Sequence, residues 1–383
     1  MATANQIYNF VNDVRKDAFG VNTGVEVRDA SSLVSFGDWV FNSGNDDSKS
    51  QFWKALIHKV GRTTIAIRKY ERRGRKVIKD PIEWGLILEK ISYTIGDAIE
   101  NKSWTAQGDS DPFNITGSVT VTAKYFKSLD TWERDQFIPD FQLYTAFRSA
   151  ERMGAFITGL FTALDNALEL ELERVGAMAV NTYMAKALSE SNNNANMKRN
   201  LLAEYNTITN AGLTVLKAKT DIDFLKFASK EIKLATDRLG TYSTIFNVDR
   251  QQRFTPKDKL VVEILSEFAA ITDTYLMSDT YHNELVKLPN YESVPYWQST
   301  GTGFKWEDTS KINIKIDETT TVEKGNIIAF IHDIDAVSAT ADRIRTKSIY
   351  DPQKEQTNYF KKADVGYAVD MSENGIVFYM EEV

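Results

Sequence analysis

Polar and apolar side chains alternate over residues 118–125, which read Ser-Val-Thr-Val-Thr-Ala-Lys-Tyr. A period of two predicts a β-strand with one covered face, because successive side chains of a strand point to opposite sides. We predict that this strand runs over 117–137 and pairs with an Ile-, Trp- and Tyr-rich strand over 82–104. The polar turn at 105–112 joins them into one β-hairpin with a reach of about 50–65 Å.

This hairpin needs a surface to cover its apolar positions. An isolated two-stranded ribbon is marginally stable in water and presents two unpaired edges. A chain of 383 residues has little spare surface for so long a ribbon, so we expect a second copy of the chain to complete it. The predicted inter-subunit contacts of the hairpin are Trp84, Tyr93, Asn101, Lys102, Trp104, Asp111, Phe113, Val119 and Val121.

Apolar residues recur at helical spacing over 150–189, and this pattern predicts one helix of roughly 55–60 Å. Gly154, Gly159 and Gly176 lie within it. Each glycine weakens a helix by about 1 kcal/mol relative to alanine, so we predict that these three act as hinges where the helix bends.

Weaker patterns surround these two elements. Ile7, Phe10, Val11 and Val14 fit one face of a short N-terminal helix. Beyond the long helix we predict helices near 221–238 and 256–276, strands at 312–316 and 326–332, and a closing hairpin over 365–381 around the turn Ser372-Glu373-Asn374-Gly375.

Composition excludes most catalytic chemistry. Cysteine is absent and only three histidines occur, which removes thiol nucleophiles and thiolate metal sites and leaves little imidazole chemistry. A net charge of -7 argues against a chain that wraps nucleic acid. The sequence has no transmembrane-length apolar run and no signal-peptide pattern, so we expect folding in a cytoplasm. We predict no enzyme, and no catalytic residue, cofactor or metal site.

Two acidic clusters suggest chemistry but have simpler interpretations. His332 and Asp333 are consecutive in a predicted strand, so their side chains point to opposite faces and we interpret them as structural. Glu169, Glu171 and Glu173 are spaced by two on a helix, about 200° apart, so they do not converge on one metal. We interpret them as a solvated or interface face.

The segment from Lys59 to Lys79 is strongly basic, with Glu71 as its only acid. One interpretation is contact with packaged DNA or an acidic scaffold. The other, which we favour because the chain has acids in surplus, is a salt-bridged base for the hairpin that docks on an acidic neighbour. The candidate docking residues are Arg72, Arg73, Arg75 and Lys76.

A series of short segments in the second half carries a resemblance: Asp237-Arg238-Leu239, Ile245-Phe246-Asn247, Phe254-Thr255-Pro256-Lys257-Asp258-Lys259, Ser278-Asp279-Thr280-Tyr281-His282-Asn283-Glu284-Leu285-Val286, Val294-Pro295-Tyr296-Trp297-Gln298, Asp364-Val365-Gly366-Tyr367 and Ser372-Glu373-Asn374-Gly375-Ile376-Val377-Phe378-Tyr379. In this order they resemble the major capsid proteins of tailed double-stranded DNA bacteriophages, in particular podovirus-like phages of gut bacteria. The resemblance covers most of residues 80–383.

The resemblance implies an α+β chain with the Hong Kong 97-type capsid fold. The domains it implies are an N-terminal arm (1–50), a helix and basic linker (51–81), an extended β-hairpin loop (82–137), a peripheral domain with a long spine helix (138–199), an axial domain (200–345) and a return to the peripheral domain (346–383).

The implied function is self-assembly into hexamers and pentamers that form the icosahedral head around the packaged double-stranded DNA genome. The implied partners are the chain itself, scaffold, portal and head-decoration or fibre proteins, with DNA enclosed without sequence-specific binding and no membrane. The expected location is the virion capsid, assembled in the cytoplasm of the bacterial host. An encapsulin-like compartment with protein cargo is the alternative, because it shares the fold.

Overall fold

The computed structural model describes residues 4–21, 25–42, 48–52, 54–56, 88–94, 120–126, 129–190, 192, 194–279, 288–298, 303 and 305–382. The chain divides into two compact units. The first comprises Met1–Arg72, Leu129–Arg174 and Ala341–Val365; the second comprises Arg73–Ser128, Val175–Thr340 and Gly366–Val383.

The helices and strands follow one another along both units. The helices are α1 (Ala4–Phe19), α2 (Ala30–Asn42), α3 (Asp140–Ala146), α4 (Ala150–Leu188), α5 (Leu201–Thr209), α6 (Val215–Ala218), α7 (Ile222–Leu239), α8 (Ser266–Asp279) and α9 (Trp306–Thr309), with a 3₁₀ turn at Ala195–Met197. The strands are β1 (Leu88–Thr94), β2 (Thr120–Phe126), β3 (Leu129–Pro139), β4 (Lys198–Asn200), β5 (Leu260–Leu265), β6 (Glu292–Val294), β7 (Ile312–Lys315), β8 (Thr321–Lys324), β9 (Ile327–Asp333), β10 (Val337–Asp351), β11 (Gln356–Val369) and β12 (Gly375–Tyr379).

The first unit has an aromatic core. Helix α1 buries Ile7, Val11 and Val14 on one face, as the spacing predicts. The rings of Phe36, Phe52 and Phe147 pack together with centroids 5.6–6.0 Å apart. A Cβ at Gly37 would lie 2.6 Å from the ring of Phe147, so the close approach of α2 requires glycine there. Residues predicted as an arm therefore contribute helices to this core.

The predicted second strand of the hairpin is two strands. Residues 120–126 pair with β1, but Leu129–Pro139 joins a different sheet, in the order β10-β11-β3. An ion pair of 2.7 Å between Lys362 and Glu133, on neighbouring strands, stabilises that pairing. The prediction of one continuous strand over 117–137 is wrong, because alternation fixes which face a residue occupies and not which strand it pairs with.

The long helix is confirmed. Helix α4 runs unbroken over Ala150–Leu188, 39 residues, which corresponds to about 58 Å. The apolar side chains of its last turns are buried in the second unit, where Asn181 donates a hydrogen bond of 2.8 Å to the carbonyl of Trp297. The ring of Tyr183 packs against Phe330 with centroids 5.2 Å apart.

The second unit is built on a five-stranded sheet in the order β4-β12-β9-β5-β6. All seven residues of β9 are buried, as the apolar run at 326–332 predicts. Two predictions are wrong in this unit. Residues 260–265 form strand β5 and not the start of a helix over 256–276. Strands β11 and β12 flank the turn at Ser372 but belong to different sheets, so they are not a hairpin.

Candidate subunit interface

Strands β1 and β2 form an antiparallel ribbon, as predicted, from Leu88 opposite Phe126 to Thr94 opposite Thr120. The register places Lys90 directly opposite Lys124 on one face. Like charges directly opposite each other destabilise a sheet, so this face requires carboxylates close by.

Those carboxylates come from the same chain. The Lys90 ammonium lies 2.9 Å from Asp370 Oδ2 and 2.6 Å from Glu373 Oε1. The Lys124 ammonium lies 2.6 Å from Asp249 Oδ2 and 3.5 Å from Asp370 Oδ1. We call these five residues the clamp. It fixes one face of the ribbon base to the turn that follows β11.

The clamp is held in its charged state by hydrogen bonds as well as by the lysines. Burial opposes ionisation of Asp370, but hydrogen bonds from Ser372 and the charge of Lys90 outweigh it and lower the pKa of Asp370 to about 2. Its Oδ1 accepts from the Ser372 amide at 3.0 Å and from the Ser372 hydroxyl at 2.6 Å. Asp370 is therefore anionic at any physiological pH.

Glu373 behaves differently. Burial raises the pKa of Glu373, and the charges of Lys90 and Arg253 offset this only in part. Arg253 Nη1 donates to Glu373 Oε1 at 2.7 Å. For Lys124, burial works against its charge, but the hydrogen bonds and charges of Asp249 and Asp370 together outweigh burial and raise the pKa. The clamp thus contains one firmly ionised carboxylate and one whose ionisation burial disfavours.

The opposite face of the ribbon carries exposed apolar side chains, and the residue in register with Tyr125 on this face is the acidic Glu89. Ile91 is 52% exposed, Val121 56% and Tyr125 62%, and Ala123 between them is also exposed. A contiguous patch of exposed apolar side chains marks an interaction surface more often than a single exposed apolar residue does. One face of the ribbon base is therefore bound to its own chain and the other is open to a partner.

The predicted contact residues fall largely outside the part of the chain that the structure describes. Val121 is described and exposed, and Tyr93 is its register partner on β1. The other predicted contacts and the basic docking residues lie outside the described residues: Trp84, Asn101, Lys102, Trp104, Asp111, Phe113, Val119, Arg72, Arg73, Arg75 and Lys76.

The three predicted hinge glycines, Gly154, Gly159 and Gly176, all lie inside the continuous helix α4. A Cβ at Gly154 would lie 2.6 Å from Cδ1 of Ile7, so this glycine also lets α1 approach α4 closely. The hinge role of the three stays a prediction.

Sequence reasoning missed the clamp. Lys90 and Lys124 are separated from Asp370 by more than 240 positions, and no local pattern joins them. The one available signal was that the polar face of strand 118–125 ends in a lysine, which requires a counter-charge if that face is covered.

Chemistry other than charge pairing is not apparent at the remaining clusters. Within the described residues, no group of three or more His, Asp or Glu is arranged to hold a metal ion. His332 is fully buried, stacks on Phe330 with centroids 4.5 Å apart and contacts the carbonyl of Asp333 through Nδ1 at 2.7 Å. Glu171 bonds Arg174 one turn away at 3.1 Å. No described helix is long and apolar enough to cross a membrane.

The fold matches solved phage structures. The capsid structure of Staphylococcus phage Andhra aligns with a TM-score of 0.50 at 11% identity, covering 79% of this chain and 83% of that chain. A chain in the structure of the head fibre and inner core protein gp22 of native bacteriophage P68 aligns with a TM-score of 0.51 at 12% identity, with the same coverage of 79% and 83%. The architecture is that of a phage capsid subunit and is consistent with the Hong Kong 97-type fold.

Sequence comparison gives the family. The family model for the Phi29-like phage major capsid protein matches residues 11–379, so the chain belongs to that family. It is a major capsid protein, the structural protein of the icosahedral head. No curated protein matches the chain in sequence. The family assignment favours the phage head over an encapsulin-like compartment.

Proposed function

We propose that copies of this chain form hexamers and pentamers that tile the head, and that the β1–β2 ribbon is the main contact between neighbouring copies. The head encloses double-stranded DNA without sequence-specific binding, and the chain performs no catalysis. Assembly takes place in the cytoplasm of the bacterial host, with a scaffold, a portal and head-decoration or fibre proteins as further partners.

The observation that carries this proposal is the difference between the two faces of the ribbon. The clamp binds one face to the chain's own turn at Asp370, which fixes the direction of the ribbon. The other face presents Ile91, Val121 and Tyr125 to solvent. Fully burying a side chain of this kind contributes about 1.5–3 kcal/mol, so a neighbouring copy that covers this face gains substantial free energy.

Repetition makes such a contact sufficient. Ordering and lost freedom on association consume much of the energy gained by burying a small patch, so one ribbon contact between two free subunits is weak. In a closed ring each subunit both gives and receives the contact, and the contacts reinforce one another. This favours a shell over a dimer as the stable state.

The exposed face gives a direct test. We expect Val121→Lys to abolish closed shells in negative-stain electron microscopy, because a charge on this face cannot be desolvated without a partner. The matched Val121→Thr variant keeps the size and β-propensity and should still form shells. Deletion of residues 98–118 should likewise leave a folded subunit that cannot close shells. Intact shells from Val121→Lys and from the deletion would refute the role of the ribbon.

A further inference from the structure

An open groove crosses the surface of the second unit. Its two parts, with volumes of about 550 and 490 Å³, share Lys186 and Ile316 and so are continuous. The lining comes from the C-terminal part of α4, from β2, β7 and β11, and from the turns around Arg250 and Met371. No residue of the clamp lines it, so the groove is a feature of its own.

The groove is cationic. Lys186, Lys315 and Arg250 line it, and its described lining includes no carboxylate. None of these three cations forms an ion pair with a carboxylate within the described part of the chain. In a chain of net charge -7, a groove with three cations and no acid is a local reversal of the overall charge.

The carboxylates nearest in sequence to the groove are engaged elsewhere. Asp249, next to Arg250, pairs with Lys124 at 2.6 Å. Asp370 belongs to the clamp. Asp317, which follows the lining residue at 316, accepts hydrogen bonds from the backbone amides at 319 and 320 at 2.9 and 2.8 Å. The positive charge of the groove is therefore not neutralised by its own turns.

The backbone at Arg250 is held in an unfavourable conformation beside the groove. Its φ is 52°, in the left-handed region that side chains with a Cβ seldom adopt. Asn247 fixes this turn, because its Oδ1 accepts from the Gln251 amide and its Nδ2 donates to the Gln251 carbonyl, both at 2.8 Å. The Val248 amide donates to the Met371 carbonyl at 3.0 Å. These contacts keep the Arg250 cation at the groove despite the strain.

The groove follows the edges of strands. Four consecutive residues at and just after β7, 313–316, line it, and so do three consecutive residues of β11, 367–369. Successive side chains of a strand point to opposite faces of its sheet. A groove that contacts all of them in a row therefore runs along the edge of the strand and not over one face.

The edge of β7 in this groove is open at Lys315. The Ile316 amide donates to the Thr320 carbonyl at 2.9 Å. Because hydrogen-bonded pairs alternate along an antiparallel ladder, the backbone groups of Asn313 and Lys315 point away from β8. The Gln298 side chain covers Asn313, since it donates to the Asn313 carbonyl at 3.1 Å and accepts from its amide. No described strand or side chain covers the backbone of Lys315 in this way.

The lining selects the kind of anion that fits. Apolar side chains lie between the cations: Phe126, Met178, Ile314 and Tyr367. Phosphates of a nucleic acid gain nothing from an apolar floor, because contact with it removes their water. An extended peptide in which carboxylates alternate with apolar side chains presents one kind to the cations and the other to the apolar floor. Its backbone can pair with the open edge of β7.

We propose that this groove is the docking site for an extended segment of a second protein, one that carries carboxylates and apolar side chains and pairs as a strand with the edge of β7. The inference rests on the proposed function only in that the head contains protein partners besides this chain. Of Ile91, Val121 and Tyr125 on the exposed ribbon face, only Tyr125 lines the groove. The docking site is therefore largely distinct from the proposed contact between copies.

A peptide of defined chemistry tests the site. The probe is a short fluorescent peptide in which Glu and Asp alternate with Leu and Val, and fluorescence anisotropy measures its binding to the unassembled full-length chain. We expect binding that weakens with rising salt, because salt screens exposed charges. Three changes to the peptide should each weaken binding at least about tenfold: Gln and Asn in place of the acids, Ser in place of Leu and Val, and methylation of the backbone nitrogens that face β7.

Charge variants of the groove connect this binding to the named cations. Lys186→Glu with Lys315→Glu should lower the affinity for the peptide at least about tenfold. Lys217→Glu with Lys233→Glu makes the same change in net charge at exposed lysines outside the groove lining and should leave the affinity nearly unchanged. Lys186→Gln with Lys315→Gln should also weaken binding, and it replaces the double Glu variant if that variant does not fold. Circular dichroism and thermal melting report the folding of each variant.

Three results would overturn the proposal. They are an unmodified chain that does not bind the peptide, equal binding by the groove variants and their control, and binding that depends on the carboxylates alone. The third result, together with competition by a DNA duplex, would assign the groove to nucleic acid. A chain that forms shells but does not bind the peptide would leave the shell function standing without this site.

Assembled shells distinguish a second protein from a neighbouring copy. Shells of this chain alone that bind the peptide as the free chain does would support the proposal, because the groove is then open to another protein. Shells that no longer bind it would show that a neighbouring copy covers the groove, and the assignment to a second protein would be wrong. A chain that forms no shells, yet binds the peptide through the groove cations, would support the site and refute the shell function.

Discussion

Lys90 lies directly opposite Lys124 across the ribbon, and one carboxylate, that of Asp370, reaches both ammonium groups at 2.9 and 3.5 Å. The two lysines would repel each other without it. Asp370 also accepts two hydrogen bonds from Ser372, so its position is set by its own turn and not by the ribbon. The turn after β11 therefore determines where the ribbon base lies.

The first prediction concerns this carboxylate. We expect Asp370→Asn to lower the free energy of unfolding of the subunit by about 2–3 kcal/mol, because it leaves two partly buried lysines opposite each other with one acceptor fewer. Amide hydrogen exchange over 88–94 and 120–126 should become faster. Asp249→Asn is the matched control: the side chain of Asp249 is 41% exposed, so its loss should cost less than about 1 kcal/mol. Unchanged exchange in Asp370→Asn would mean that the clamp does not hold the ribbon.

The second prediction concerns acid. The pKa of Asp370 is about 2 in the folded chain against an ordinary value of 3.8, so its contribution of about 2 kcal/mol is present above pH 3.8 and is lost as the pH falls toward 2. The raised pKa of Glu373 acts with the opposite sign, because a group that binds its proton more tightly in the folded state favours folding as the pH falls.

Acidification to about pH 4.5 should therefore leave the ribbon base ordered, and order should be lost only between about pH 4 and 2. Hydrogen exchange over β1 and β2 as a function of pH measures this directly. In Asp370→Asn the loss of order between about pH 4 and 2 should be absent. A transition that persists in this variant would mean that another group causes the loss of order.

Periodicity made part of this molecule predictable. Alternation over 118–125 placed Val121, Ala123 and Tyr125 on one face, and the structure has them there. The apolar stripe of α4 predicted its ends to within one residue. Both signals are local, because the period of a helix or strand depends only on neighbouring residues.

Pairing between distant segments was not predictable in the same way. The run Leu260-Val-Val-Glu-Ile-Leu265 is compatible with a buried helix or a buried strand, and its place between β6 and β9 in the sheet decides for a strand. The sequence pattern of Leu129–Pro139 is as compatible with a strand beside β11 as with a strand of the hairpin. Local sequence signals predict the turn at Asp370, but no local signal identifies the two lysines that Asp370 binds.

The third prediction concerns a glycine in the second unit. A Cβ at Gly375 would lie 2.4–2.8 Å from the ring and hydroxyl of Tyr183, which is fully buried and donates to the Glu373 carbonyl at 3.1 Å. We expect Gly375→Ala to lower the free energy of unfolding by about 1–3 kcal/mol, because a packed ring cannot move aside freely. Gly325→Ala, where nothing lies within 4 Å of the added Cβ, is the control and should be nearly neutral. Equal melting temperatures for Gly375→Ala and Gly325→Ala would show that the Tyr183 ring moves aside without a loss of stability.

The fourth prediction concerns the proposed hinges of α4. Gly159→Ala should raise the free energy of unfolding by up to about 1 kcal/mol, because alanine favours the helix, and Gly176, which is buried, is left unchanged. We expect the same variant to close fewer shells, since in the proposed shell one subunit must fit both hexamers and pentamers and a stiffer helix accommodates only one of them. Gly154 is left unchanged because a Cβ there meets Ile7 at 2.6 Å, which would mix steric strain with helix stiffness. Thermal melting measures the first effect and electron microscopy the second, with Gly325→Ala again as the control. A variant that is more stable and still closes shells in normal yield would show that Gly159 serves packing alone.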